Sequence, residues 1–400
     1  MNILQLCQKI PFPPVDGGAI AMNNITQGLL SAGHRVKVLA VETAKHPALW
    51  DKIPMDYQES VRLETVKIDT TVSVWAAAKT LFTRQAYQVI RFYSKEFVAK
   101  LEKVLKEESF DIVHLESIFM TPYISTIREF SKAKIVLRTH NVENMIWKRV
   151  AQNEKNIVKK MAIKCLSNQM ERYEQAVWPQ IDAFAAISES DLNYFQKAAG
   201  SCPGTVIPFG VNMDEYPCQE EYFPSETPTL FHIGSMNWLP NIEGVEWFLD
   251  EVWPLLTSSF PDITFTIAGR SIPETIKRRA DKNILIAGEV PDANEFMLSE
   301  DIMVVPLLSG SGIRVKIIEG MALGKTVITT SVGAEGLDVE NGKNILIADT
   351  PQEFVEAVAK CVHTPDVCAI IGENARNFVA LNHNNSLITK KLLDFYSALL

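Results

Sequence analysis

Short apolar runs bounded by turn residues alternate along the whole chain with longer stretches of helical period, a pattern that predicts βαβ units and parallel sheets. In the first half, strands are expected at Ile3–Leu6, Val36–Val41, Ile112–Leu115, Ile135–Leu137 and Ala183–Ile187, ending at Val206–Ile207. A helix from about Ala19 to Ala32 follows the first strand and stops at Gly33, a residue suited to the left-handed turn after a helix. In the second half, strands are expected at Leu230–Ile233, Ile263–Ala268, Ile284–Ile286, Ile302–Val305, Val327–Thr329 and Ile345–Ile347, with helices at Asn241–Leu256 and Ile313–Leu323 among those between them. Runs such as IMVVPLL lack period-two alternation, as strands buried on both faces do. The stretch 210–228 holds three prolines and five acids with no period and reads as a linker. The expected fold is α/β: two Rossmann-like, doubly wound parallel-sheet domains facing across a cleft, at 1–209 and 229–384.

Composition narrows the class. A chain of 400 residues suits two domains, and 47% hydrophobic with 22% charged residues excludes disorder and coiled coil. No apolar run approaches the roughly 18 residues that span a bilayer, and MNILQL begins as a strand without a basic leader, so a cytoplasmic location is expected. The six cysteines (Cys7, Cys165, Cys202, Cys218, Cys361, Cys368) form no CxxC pair and read as reduced thiols; neither a metal site nor a nucleic-acid partner is expected.

The net charge of −9 divides unevenly. Residues 1–205 carry 26 Lys+Arg against 21 Asp+Glu, or +5, and the remainder 13 against 27, or −14. Two segments of helical period, Lys79–Lys106 and Met145–Glu174, carry seven basic residues each against two and three acids, with Trp75, Phe82, Phe92 and Trp147 on or near them. Two readings stay open: amphipathic surfaces resting on an anionic membrane, or solvated helix faces with ordinary core aromatics.

Ligands of open α/β sheets bind beyond the carboxyl ends of strands, and three such places carry chemistry. Gly17 and Gly18 follow the first strand, where tandem glycines admit a bulky group close to the backbone and the next helix offers free N–H groups to an anion. The segment SGSGIRVKIIEGMALGKTVITT, 309–330, is the strongest. Gly310 and Gly312 open the backbone before a helix start, Arg314 and Lys316 bring positive charge to a phosphate, and Glu319 is an acceptor-only group suited to a ribose diol. Arg138-Thr139-His140-Asn141 closes another strand, where His140 can hydrogen-bond and orient a sugar hydroxyl.

Together these residues resemble the retaining, nucleotide-sugar-dependent glycosyltransferases of family four (GT4), which have the GT-B fold. The resemblance runs through the double glycine, AGHRVKVLAV, THNVE, ISESD, VIPFGVN, FHIGSMNWLPN and GSGIRVKIIEGMALGKTVI. It implies that Gly17 and Gly18 lie beside the donor diphosphate and sugar, that His140 sits near the transferred sugar, and that Gly234 and Ser235 begin the donor side of the second domain. It also implies that Val290 contacts the base through its backbone, that Ile313 and Arg314 approach the phosphates, and that Glu319 binds the ribose. A C-terminal helix at about 385–400 is expected to cross back onto the N-terminal domain. The implied partners are a nucleotide-sugar donor and a sugar or lipid-linked acceptor in polysaccharide or glycolipid synthesis, with no cofactor.

Two departures stand out. Many relatives carry a second glutamate eight positions before Glu319, where this chain has Ser311, and an early GR…KG pattern, where it has Gly234-Ser235…Asn241-Ile242. Arg314 and Lys316 are expected to supply the missing charge. The departures keep two rivals in view: a non-catalytic nucleotide-sugar-binding subunit and a nucleotide-sugar epimerase.

Overall fold

The apolar runs become strands of two all-parallel sheets in the computed structural model, which describes residues 1–14, 16–71, 80, 86–154, 156–217, 228–310 and 312–400, without the side chain of residue 153. Ser311, Trp75, Phe82, Cys218 and most of the 210–228 stretch therefore lie outside the described residues. By its own contacts the chain divides into Met1–Gly210 with Ile388–Leu400 (unit 1) and Val211–Leu387 (unit 2).

Unit 1 holds β1 (Asn2–Cys7), β2 (Arg35–Glu42), β3 (Glu64–Lys67), β4 (Ile112–Glu116), β5 (Lys134–Arg138), β6 (Ala183–Ala186) and β7 (Gly204–Val206). They form one seven-stranded sheet in the order β3-β2-β1-β4-β5-β6-β7. Strand β1, with five of its six residues buried, is central. The chain winds outward from it to β3, then returns to β4 on its other side, so the order reverses between β1 and β4. Strand β3 was not expected from the sequence. Three of its four residues, Glu64, Thr65 and Lys67, are polar, and all four are only half-buried or exposed, as an edge strand permits.

Cores cover both faces of this sheet. Ile388, Leu392 and Tyr396, spaced four apart on the last helix (Asn385–Leu399), enter the core with Ile3, Met22 and Ile25. The C-terminal helix thus completes the N-terminal unit, as the resemblance implied. The two basic segments are each broken. The described part of the first forms Tyr87–Ile90 and Lys95–Glu107, and the second forms Glu143–Asn153 and Ile157–Val177, which Asn156 restarts by accepting from the Val158 and Lys159 amides.

Unit 2 holds β8 (Thr229–Ile233), β9 (Thr264–Ala268), β10 (Ile284–Gly288), β11 (Ile302–Val305), β12 (Thr326–Thr329) and β13 (Leu346–Ile347). Its six-stranded order, β10-β9-β8-β11-β12-β13, reverses between β8 and β11. Each reversal leaves a crevice at the strands' carboxyl ends, the usual ligand position in such sheets.

Candidate active site

In unit 1 the β1 end leads through a loop to the helix Gly17–Ser31, capped by Asp16, whose Oδ1 accepts from the Ala19 amide at 2.9 Å. The same carboxylate pairs with Lys9. A Cβ on Gly18 would fall 2.8 Å from the Lys9 Nζ, so this glycine leaves the space that the ammonium uses.

Across the reversal, β4 ends on Glu116, which is fully buried. Its Oε1 accepts from Gln5 Nε2 at 2.9 Å, and its Oε2 lies 2.6 Å from His140 Nε2 and 3.4 Å from Arg138 Nη1. His114 Nε2 is 3.2 Å from Oε1, and the His114 Nδ1 meets the hydroxyl of Tyr396 on the last helix. Burial pushes the Glu116 carboxyl up, but Arg138, His114 and His140 together hold it well below the usual carboxylate range. Burial, outweighing Glu116, lowers the His140 imidazole, with Arg138 and Lys9 adding to the shift. A neutral His140 beside an ionised carboxylate carries its proton on Nε2, leaving Nδ1 as an acceptor.

A small cavity opens beside this loop, lined by Thr139, His140, Asn141, Glu143, Glu174 and Trp178 among others. Burial pushes both Glu143 and Glu174 up to about 7. Glu174 accepts from the Asn144 amide at 3.1 Å and from its side chain.

In unit 2 the residues around Gly310 form the loop after β11. Gly310 and Gly312 have φ of +122° and +81°, a region in which side chains are strained. The helix begins at Val315, two residues later than the sequence suggested, because Arg314 takes the N-cap position. Arg314 is 4% exposed and turns back on its own loop: it donates to the carbonyls of Gly312 and of Val332 (3.2 Å) and lies 5.7 Å from the centre of the Trp238 ring.

Lys316 reaches the crevice between β8 and β11. Its Nζ donates to Asn241 Oδ1 at 2.8 Å and lies 3.3 Å from His232 Nε2. His232 Nδ1 is 2.9 Å from the Val304 carbonyl, so the proton sits there and Nε2 accepts from Lys316. Burial, then Lys316, hold His232 well below its ordinary range. Lys316 forms no ion pair among the described residues, and burial followed by Arg314 lowers it to about 7. Gly234 follows β8 beside it: a Cβ there would fall 2.5 Å from Lys316 Nζ and 2.8 Å from Asn241 Nδ2. The Ser235 carbonyl accepts from Asn241 Nδ2 at 2.8 Å. One turn beyond Lys316, Glu319 accepts from the Tyr216 hydroxyl at 3.3 Å, and its carboxyl is raised by burial.

Of the residues singled out in the sequence, Gly234, Ser235 and Lys316 meet in one cluster, Gly310, Gly312, Ile313 and Arg314 lead into the same helix, and Glu319 follows within it. Val290 is half-buried after β10, an edge strand separated from β8 by β9. Gly17, Gly18 and His140 lie at strand ends in unit 1. The sequence reading missed Lys9, Glu116, His232, Tyr216 and Trp238. Two of these had a signal, an ionisable residue inside an otherwise apolar strand: Glu116 in IVHLE and His232 in TLFHI. Among the described residues, no group of three or more His, Cys, Asp or Glu is placed to hold a metal, and no helix is long and apolar enough to cross a membrane.

Residues 15–215 match the family model described as Glycosyltransferase Family 4, and residues 227–364 the model described as Glycosyl transferases group 1. A 44.6 kDa protein of the cps region of Klebsiella pneumoniae, itself uncharacterized, is 22% identical over 97% of each chain. The phosphatidyl-myo-inositol mannosyltransferase of Mycolicibacterium smegmatis is 22% identical over 59% of this chain and 57% of its own. Among solved structures, Anabaena HepE in complex with UDP superposes with a TM-score of 0.69 at 15% identity over 100% of both chains. Sucrose-phosphate synthase from Thermosynechococcus elongatus gives 0.72 at 14% identity, over 100% of this chain and 99% of that one. These likenesses establish the shared GT-B fold.

Proposed function

This chain belongs to glycosyltransferase family 4, a family of sugar transferases, and on that premise we propose that it moves a sugar from a nucleotide-diphosphate-sugar to an acceptor hydroxyl with retention. The observation that carries the donor class is Lys316: a largely buried cation held by two neutral acceptors, Asn241 and His232, and by no carboxylate among the described residues. Such a group is stabilised by an incoming anion. Binding of UDP and of UDP-glucose by Anabaena HepE supports a nucleotide donor.

On this reading the diphosphate lies against Lys316, Arg314 and the N–H groups that open the helix Val315–Ala322, which stabilise the charge that develops as the nucleoside diphosphate leaves. Glu319 takes the ribose diol, exchanging its bond from Tyr216 for bonds from the sugar. His140, held through Nε2 by Glu116, offers Nδ1 to a hydroxyl of the transferred sugar. The chain's own cations take the part that a divalent ion plays elsewhere, so transfer is expected to survive a chelator. The acceptor is a sugar of a polysaccharide or a lipid-linked chain, consistent with the cps-region relative and the phosphatidyl-myo-inositol mannosyltransferases, and the reaction is cytoplasmic.

A panel of nucleoside diphosphates and nucleotide-sugars, read by thermal stabilisation, identifies the donor; transfer is then assayed with that donor and glycan acceptors. Lys316→Ala and Arg314→Ala should each weaken donor binding sharply. Unchanged affinity in both variants removes the reading. Interconversion of epimers from donor alone would favour an epimerase, and donor binding without transfer by the purified protein would favour a non-catalytic subunit.

A further inference from the structure

The helical hairpin of unit 1, Glu143–Asn153 and Ile157–Val177, is fixed at one end and bare at the other. At the fixed end Glu174 accepts from Asn144, Ser167 Oγ donates to the Asn144 carbonyl at 3.1 Å, and Lys148 pairs with Glu171 at 2.9 Å. The strands of contact then run outward to Lys160, whose Nζ donates to the Gln152 carbonyl at 3.2 Å. On either side of this contact Val150, Ile157, Val158 and Met161 are exposed by 45%, 73%, 73% and 70%. Ile157, Val158 and Met161 exceed every other exposed large hydrophobic of unit 1 among the described residues, and at positions i, i+1 and i+4 of one helix they lie within about one turn of each other, as one patch.

Charge tells what covers it. Residues 147–164 hold six basic residues (Lys148, Arg149, Lys155, Lys159, Lys160, Lys164) against one acid, Glu154. Lys159 and Lys160 sit in the same turn as Ile157, Val158 and Met161. Apolar side chains flanked by lysines within one turn match an interface in which hydrocarbon lies below an anionic headgroup layer, the lysine stems lying along the apolar level and their ammonium groups reaching phosphate. An acidic protein partner would match the lysines but not three bare aliphatic side chains standing proud among them.

We propose that this hairpin tip docks the protein on an anionic phospholipid surface, with Ile157, Val158 and Met161 entering the interface and Lys159, Lys160 and Lys164 contacting headgroup phosphates. It deepens the lipid-linked acceptor reading above and rests on it only for its purpose, since vesicle binding is measured without transfer. The test is co-sedimentation of the full chain with phosphatidylcholine vesicles and with phosphatidylcholine–phosphatidylglycerol vesicles at rising salt. Binding is expected only to the anionic vesicles and is expected to weaken as salt rises. Lys159→Glu with Lys160→Glu should reduce the partition coefficient by more than tenfold, each cation contributing on the order of fivefold. Ile157→Glu with Met161→Glu should abolish binding without removing a cation. Both pairs are solvent-exposed, and an unchanged melting temperature separates lost docking from lost folding. Wild-type protein that stays in the supernatant with anionic vesicles, or variants that sediment as wild type does, would overturn the inference; so would self-association through this tip in place of lipid binding. Lost vesicle binding with intact transfer to a soluble acceptor would leave the enzymatic reading standing.

Discussion

If the donor diphosphate pairs with Lys316, as proposed, its binding is proton-linked, and the linkage can be worked from the site. In the free protein the Lys316 ammonium is lowered from 10.5 to about 7, because burial costs the charged form and Arg314 repels it, while among the described residues its Nζ bonds only to Asn241 and His232. The sign follows for stability: between about 7 and 10.5 the unfolded chain binds a proton that the folded unit does not, so this group's contribution to stability rises with pH across that window. A diphosphate reverses the preference by pairing with the ammonium. If binding restored the ordinary value, the coupling would reach about 5 kcal/mol, a ceiling because Lys316 keeps some exposure. At pH 8 the free amine is mostly neutral, so donor binding should take up about 0.9 proton, and the donor Kd should rise about tenfold per pH unit above 7 while staying flat below it. Calorimetry of nucleotide-sugar binding in buffers of different ionisation enthalpy reads that proton directly, and a nucleotide-sugar has no phosphate group titrating there. Lys316→Met should bind weakly and take up no proton. Equal heats in all buffers for the wild-type protein, or proton uptake that persists in Lys316→Met, would refute the reasoning.

Three further outcomes follow from the same geometry. Glu116→Gln strips Arg138, 1% exposed, of its carboxylate and should cost about 3–5 kcal/mol in denaturant unfolding, whereas Tyr396→Phe loses one hydroxyl bond to His114 and should cost about 1 kcal/mol. Glu174 is raised from 4.5 to about 7 by burial, so its stabilising contribution is complete below about 4.5 and is lost as pH rises through 7; Glu174→Gln should recover roughly 3 kcal/mol above neutral pH and nothing at pH 4, measured as melting temperature against pH. Glu319→Gln should weaken nucleotide-sugar binding by about 10–100-fold, since the amide replaces one of two charged acceptors, while leaving any acceptor binding measured by itself unchanged.

Most of the strands could be read because a parallel strand buried on both faces is almost wholly apolar, which gives runs such as IMVV a signal independent of their partners. Strand β3 could not, because its mostly polar ETVK, with Val66 alone apolar, meets only one neighbour and owes its conformation to pairing with Leu39–Glu42. The loop after β11 was legible as a candidate through its glycines and paired cations in one short segment. The groups that set the state of those cations were not. His232, Asn241 and Tyr216 stand 84, 75 and 103 residues before the residues they meet at 316 and 319, and no local pattern reports a contact across that distance. Glu116 and His140 are brought together by adjacent strands in the same way.

The missing early cations take on a physical sense in that light. Where the family resemblance leads one to expect an Arg and a Lys, this chain has Ser235 and Asn241, and a lysine at 241 would stand against Lys316, two like charges within hydrogen-bonding distance in a poorly hydrated crevice. With Asn241 there, the amide oxygen receives Lys316 Nζ while its nitrogen is tied to the Ser235 carbonyl, so the side chain orients the ammonium and adds no repulsion. Gly234 fits the same arrangement, since a Cβ would occupy the place of that Nζ. His232, kept neutral by burial and by Lys316, supplies the second acceptor without a counter-charge. Gly234, Asn241 and Lys316 therefore fit together: the cation of this cluster comes from the helix Val315–Ala322, and the residue after β8 and the one in the helix Leu239–Trp247 have the sizes and dipoles that leave room for it.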